Sequence, residues 1–127
     1  MLDRLLRTVG VYTAYEKWLT QQVKGRHMPE HVGIILDGNR RWAWQRALTP
    51  YDGHYIGAKV GEEVLNWCLE FGIRTLTLYT FSTENFKRNR IEVEFLMNLL
   101  KREFKRLKDS KEINENKVRI NVIGNFS

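Results

Sequence analysis

An apolar run from Val32 to Leu36 ends in Asp37, Gly38, Asn39, Arg40 and Arg41, an order of residue types suited to holding an anion. If the run is a parallel strand, its last residue reaches the carboxyl edge of the sheet. Gly38 then lets the backbone turn into a helix whose unpaired amides face a ligand, and Arg40 and Arg41 add fixed positive charge. Phosphate or diphosphate would accept those donors. Asp37 has no place in a simple anion cradle unless it holds a cation or handles a proton, and a magnesium diphosphate meets both demands. Other phosphate sites fit less well. A Walker A loop needs a glycine-flanked lysine followed by Ser or Thr, a dinucleotide fingerprint needs three spaced glycines, and LDGNRR has neither. A phosphotransferase with an aspartyl nucleophile normally carries a second carboxylate two residues on, where this chain has Asn39. The plainer reading has Asp37 capping a helix with both arginines in solvent.

A second polar set, Ser82, Thr83, Glu84, Asn85, Lys87 and Arg88, follows the apolar segment RTLTLY. Ser82 suits a helix N-cap as well as a ligand contact, and alone the segment reads equally well as a capping stretch. His54, one of three histidines, is placed by its spacing at the start of a helix facing the same crevice, where it could contact a diphosphate or exchange a proton.

The elements that must position these groups are legible as periodicities. Leu2, Leu5, Leu6, Val9, Tyr12, Tyr15, Leu19 and Val23 recur at helical steps, and Gly25 to Pro29 break that helix, so residues 1–28 read as an amphipathic appendage and 29–127 as the domain proper. Val32–Leu36 is the first predicted strand. A helix from Asn39 or Arg40 stops near Leu48, Thr49 to Gly53 form a loop, and a second crossover helix runs from His54 to its stop at Gly72. Arg74–Tyr79 is the next strand, Ile91–Lys108 the next helix, KDSKEINEN a connection, and Lys117–Ile123 a third strand. Strands separated by helices imply an α/β fold, a parallel sheet with right-handed crossover helices and all carboxyl ends on one edge, where open sheets bind ligands.

Composition bounds the rest. With 127 residues, 43% hydrophobic, 28% charged and two prolines, one small globular domain is expected. The single cysteine, Cys68, lies on an apolar helical face and reads as a buried thiol, which suits a reducing cytoplasm. No apolar run has membrane-spanning length. A formal charge of +6 is compatible with nucleic acid, anionic lipid or phosphorylated small molecules, but most basic residues lie on amphipathic helices, and paired zinc ligands or an aromatic RNP stretch are absent, so no nucleic-acid partner is expected.

Taken together, HVGIILDGNRRW, GHYIGAKVGEEVLNWC, and LTLYTFSTENFKR followed by IEVEFLMNLL resemble, in order and spacing, the cis-prenyltransferase family, over residues 31–127. The doubled arginine resembles the archaeal and eukaryotic form of the first motif. The resemblance implies a cis-prenyltransferase-like fold and chain elongation. An allylic prenyl diphosphate ionises with the help of Mg²⁺, isopentenyl diphosphate adds, a proton leaves, and a polyprenyl diphosphate results. It also implies roles. Asp37 would be the metal-linked carboxylate, Gly38, Asn39, Arg40 and Arg41 the cradle of the allylic diphosphate with Trp42 beside it, and His54 a contact of the same site. Ser82, Thr83, Glu84, Asn85, Phe86 and Arg88 would form the second loop, with Ser82 and Asn85 engaged in substrate positioning and proton handling, and Glu92 would help order it. At the place four residues before the histidine where many members carry an arginine, this chain has Pro50, and Arg46 is the candidate substitute, a replacement the sequence itself does not establish.

The chain stops after its third predicted strand, where another loop and covering helix are expected, and the family's Arg-x-Ser segment for isopentenyl diphosphate is absent from it. The expectation is therefore a domain incomplete at its carboxyl end: a fragment, one half of a split protein, or a non-catalytic subunit, weak or inactive alone. A homodimer in the full-length form, or a partner chain supplying the missing half, is expected to complete it. The aromatic and basic stripe of the first helix adds an expected contact with a membrane surface, in the cytoplasm. The rival from another class is a basic scaffold that binds nucleic acid without chemistry.

Overall fold

The computed structural model describes residues 10–124, so the predicted helical positions Leu2 to Val9 lie outside the described residues. Helix α1, Val11–Val23, ends where Gly25 takes a left-handed φ of 83°. Strand β1, His31–Ile35, pairs in parallel with β2, Thr75–Tyr79, in a register that sets His31 opposite Thr75 and Ile35 opposite Tyr79. Between them run helices α2, Asn39–Trp44, and α3, Pro50–Glu70. After β2 come a 3₁₀ turn, Thr83–Lys87, and helices α4, Arg90–Lys108, and α5, Lys111–Glu115. The parallel α/β arrangement with crossover helices is thus present.

Side chains alternate across both strands. Val32, Ile34, Leu76 and Leu78 are half-buried on the face toward α3, whereas His31, Ile35, Thr75, Thr77 and Tyr79 are exposed on the other. On that open face Ile35 keeps 72% of its surface in solvent, so one side of the sheet carries no packed layer among the described residues. The buried apolar residues are Ala43, Cys68, Leu96, Leu99 and Ile113, and they sit between the helices rather than on both sides of the sheet. Burial pushes the Cys68 thiol pKa up, as befits a packing residue. Helix α4 is fixed to α3 by an edge-to-face contact of Tyr51 with Phe95, 4.8 Å between centroids. A fork from Arg106 to both oxygens of Glu62, at 2.7 and 2.8 Å, adds to it.

Three expectations need correction. Helix α3 begins at Pro50, not His54. Thr49 is its N-cap, with Oγ1 accepting from Asp52 N at 3.3 Å while Asp52 Oδ2 accepts from Thr49 N at 2.9 Å, and Pro50 starts the helix without a missing bond. The polar KDSKEINEN stretch contains α5, started by Ser110 and anchored by buried Ile113. Lys117–Ile123 is not a strand. It pairs with neither β1 nor β2, and Ile120, Val122 and Ile123 are exposed. A β-prone sequence becomes a strand only when a neighbour supplies the ladder, and here Lys117, with a φ of 53°, turns the chain from α5 so that Val118, Ile120 and Val122 line an open hollow together with Phe104 and Ile113 instead.

Candidate functional site

Both strands end on one edge. β1 delivers Asp37 there and β2 delivers Phe81 and Ser82. Asp37 Oδ1 accepts from Gly38 N at 2.6 Å, and its Oδ2 accepts from the Arg41 guanidinium at 3.2 Å, with both side chains largely in solvent. Gly38 has a φ of 86°, the left-handed conformation that turns the strand straight into α2 and that an L side chain resists. These groups form the mouth of a cavity of about 580 Å³. Ile34, Leu36, Ile56 and Val60 line the same cavity, so charged and apolar side chains share one hollow. Trp42 lines the same cavity, and the Arg46 guanidinium stacks on its ring, 4.4 Å from the centroid. Arg46 is thus held against a cavity-lining ring without lining the cavity itself, while Pro50 serves as the first residue of α3.

Asn39 also lines the cavity and is packed against α3. Its side chain lies against Gly57, where an added Cβ would come within 2.5 Å of Asn39 Oδ1, and its backbone oxygen sits over Gly53. Gly53, Gly57 and Gly61 recur every fourth residue on one face of α3, and this bare face is what lets α2 and the sheet approach. That spacing is visible in the sequence and was the signal available for the contact.

His54 is the fifth residue of α3 and is buried, so the expected helix-start histidine facing the crevice is corrected: its ring does not line the cavity. Its Nε2 lies 3.0 Å from Glu92 Oε1 in α4. Burial pushes the His54 pKa down, against the hydrogen bond and charge of Glu92, which pull it up. The depressed pKa makes neutral His54 the favoured native form, so stability is full above the ordinary value of 6.5 and is lost as pH falls from there through the native pKa. We expect urea midpoints to fall between pH 7.5 and pH 5, and NMR titration of the His54 ring to show a midpoint below 6.5. A midpoint above that value would reverse the sign.

The second loop is closed by its own groups. Asn85 Oδ1 accepts from Ser82 N at 2.9 Å, and the Arg88 backbone N–H donates to Asn85 O at 3.1 Å. Thr83 and Glu84 are exposed in the 3₁₀ turn, and Phe86, 61% exposed, makes an edge-to-face contact with Phe81 at 4.9 Å. The Arg88 guanidinium donates to Glu92 Oε1 at 3.2 Å, and that of Arg40 lies 3.8 Å from Glu92 Oε2. Glu92 thus joins three predicted site residues from three elements: Arg40 of α2, His54 of α3 and Arg88 after the turn. The structure groups Asp37, Gly38, Asn39, Arg41 and Trp42 around the cavity, groups Arg40, His54 and Arg88 on Glu92, and bonds Asn85 within its own loop.

Residues 35–127 match the family described as "Putative undecaprenyl diphosphate synthase". The chain is 52% identical over 114 residues to a tritrans,polycis-undecaprenyl-diphosphate synthase (geranylgeranyl-diphosphate specific) of Thermococcus kodakarensis, covering 90% of this chain and 43% of that protein. A synthase of the same name from Pyrococcus abyssi is 53% identical over 113 residues, 89% of this chain and 43% of its own. An isoprenyl transferase of Thermus thermophilus is 51% identical over 125 residues, 98% of this chain and 48% of its own. The chain therefore spans less than half the length of these curated relatives.

Proposed function

The chain belongs to the undecaprenyl diphosphate synthase family of prenyltransferases, and on that premise we propose that it carries the allylic-diphosphate part of a site for cis-prenyl chain elongation. One observation carries the reading: Asp37 and Arg41 share one cavity with the apolar Ile34, Leu36, Ile56 and Val60, a combination that suits a ligand with an anionic head and a hydrocarbon tail. Arg41, the Gly38 turn and the first amides of α2 bind the diphosphate of an allylic primer, and its chain lies along those apolar side chains. In the reaction the allylic carbon–oxygen bond breaks and diphosphate leaves, a bond forms from that carbon to isopentenyl diphosphate, and the isopentenyl unit loses a proton. Asp37 and Asn85 are the catalytic residues of this reading, Asp37 at the leaving diphosphate and Asn85 in the loop that positions the incoming unit. Ser82, Thr83, Glu84 and Phe86 border that loop.

Among the described residues no three His, Cys, Asp or Glu side chains cluster as an all-protein metal site. The exposed Asp37 carboxylate at the mouth fits Mg²⁺ shared with a substrate, because that ion is usually held by one or two carboxylates plus phosphate oxygens and water. Bound there, Mg²⁺ would neutralise charge on the departing diphosphate.

The same reading assigns the open sheet face to a second half of the fold, in the same chain or a partner, or to a second copy. It puts α1 at a cytoplasmic membrane surface, with Val11, Tyr15, Trp18 and Leu19 exposed along one side. The test is incubation of the chain with Mg²⁺, geranylgeranyl or farnesyl diphosphate and labelled isopentenyl diphosphate. Retained binding of the allylic diphosphate with little extractable product is expected for this chain alone. A chain that binds no allylic diphosphate would overturn the reading, and efficient product formation would overturn the need for a completing half.

A further inference from the structure

Glu92 is a buried carboxylate shared by three basic side chains, and it shares unequally. Its Oε1 accepts from both His54 at 3.0 Å and Arg88 at 3.2 Å, whereas Oε2 faces Arg40 only across 3.8 Å, beyond hydrogen-bond range. Arg40 is also the most exposed of the three, its side chain 42% in solvent against 23% for Arg88 and 5% for His54. With His54 neutral, its Nε2–H donates to the carboxylate, and two guanidiniums face a single negative charge. The excess positive charge then falls on Arg40, whose only other aromatic or ionic neighbour described is the Trp44 ring, 5.9 Å away. Arg40 stands in the first turn of α2 between Asn39 and Arg41, which line the cavity, while its own side chain lies outside that lining on the Glu92 side.

We propose that Glu92 is a positioning residue that holds Arg40 in reserve for the diphosphate: Oε1 stays with His54 and Arg88 while Arg40 leaves Oε2 for the phosphate oxygens when the ligand arrives. This rests on the diphosphate reading of the mouth. It adds an exchange of one cation between an internal carboxylate and the ligand, with the second loop and α3 left in place. Glutamine at position 92 tests it sharply, because its carbonyl still accepts from His54 and Arg88 while its amide nitrogen carries no charge and repels Arg40.

The experiment is calorimetric titration of the chain with inorganic pyrophosphate and Mg²⁺ at fixed ionic strength, with Arg40→Ala, Glu92→Gln, the double variant, and Asp37→Ala with Arg41→Ala as the reference for the mouth. Loss of one charge-assisted contact should weaken binding about tenfold in Arg40→Ala. Glu92→Gln should tighten it about threefold, and should have almost no effect once Arg40 is absent, the non-additivity expected of a direct pair. Binding that is unchanged in Arg40→Ala, or weakened equally by Glu92→Gln in both backgrounds, would overturn the exchange and leave Glu92 a purely structural residue. Binding that is absent in the unaltered chain, or indifferent to Asp37 and Arg41, would overturn the diphosphate reading itself. A ligand-free arm separates the two failures: the Nε–H resonance of Arg40 should shift in Glu92→Gln, and an unmoved Arg40 resonance would remove the tether whatever the chain binds.

Discussion

Alanine at both Asp37 and Arg41 should abolish measurable binding of geranylgeranyl diphosphate, weakening it by at least about a hundredfold. Arg41 has its side chain 72% in solvent at the mouth, so its guanidinium is free to turn from Asp37 to a phosphate. A charge-assisted hydrogen bond is worth about 1.5–3 kcal/mol, and each 1.4 kcal/mol is a factor of ten. Asp37 adds the metal link, and its loss also frees the Gly38 N–H that it now holds at 2.6 Å. Calorimetry with and without Mg²⁺ checks this: the single Asp37→Ala variant should lose the dependence on Mg²⁺, whereas Arg41→Ala should keep it and bind more weakly throughout. The same pair of substitutions separates this site from a basic scaffold for nucleic acid. Binding to a long polyanion adds up many surface cations and would survive the loss of one arginine with only a slightly shallower salt dependence. Strong RNA or DNA binding by the double variant would therefore favour the scaffold.

Gly53→Ala should be the most destabilising glycine-to-alanine substitution in α3, although alanine is normally the better helix residue by about 1 kcal/mol. The added Cβ would run into the backbone oxygen and carbonyl carbon of Asn39 and come within 3.0 Å of Ala43 Cβ. Backbone cannot yield as a side-chain tip can, so α2 must lift from α3, and overpacking of this kind costs about 1–3 kcal/mol, or more where the backbone has to move. Gly61→Ala is the internal control. There the new methyl meets only Leu36 Cδ1 at 3.6 Å and Leu78 Cδ1 at 3.7 Å, ordinary contacts, so the usual helix gain of about 0.5–1 kcal/mol should appear. Urea unfolding of both variants gives the comparison. Equal midpoints for the two would mean that the α2–α3 approach is looser than described.

Much of this arrangement was legible because it is local. β1 and β2 are short apolar or alternating runs bounded by turn residues, and α4 declares itself through Phe95, Leu96, Leu99 and Leu107 at helical spacing. The turn at Asp37 and Gly38 needed only the order of residue types. What escaped depends on partners far along the chain. Lys117–Ile123 has the composition of a strand, yet strand formation is decided by whether a neighbouring ladder is available. The start of α3 was hidden by Pro50 and Gly53, both turn-forming on average, because the cap that rescues them is Thr49 with Asp52 rather than the commoner glutamate. His54 looked like a crevice residue by position, and only the packing of α4 on α3 shows that it turns to Glu92. The family resemblance named Arg40 and Arg88 separately, and nothing in their spacing reveals that one carboxylate serves both.

The two-stranded parallel sheet also has a kinetic meaning. β1 and β2 can meet only after the whole crossover from Leu36 to Arg74 has folded back on itself, while α2 and α3 are joined by a short turn and can dock first. Closing a long loop for a few ladder bonds is slow and entropically unfavourable, so the pairing of His31–Ile35 with Thr75–Tyr79 should be a late event in folding and an early one in unfolding. Asp37 and the Ser82 loop reach a common edge only through that pairing. The site's two halves therefore assemble at the last step, and amide exchange across β1 and β2 reports how often the mouth comes apart.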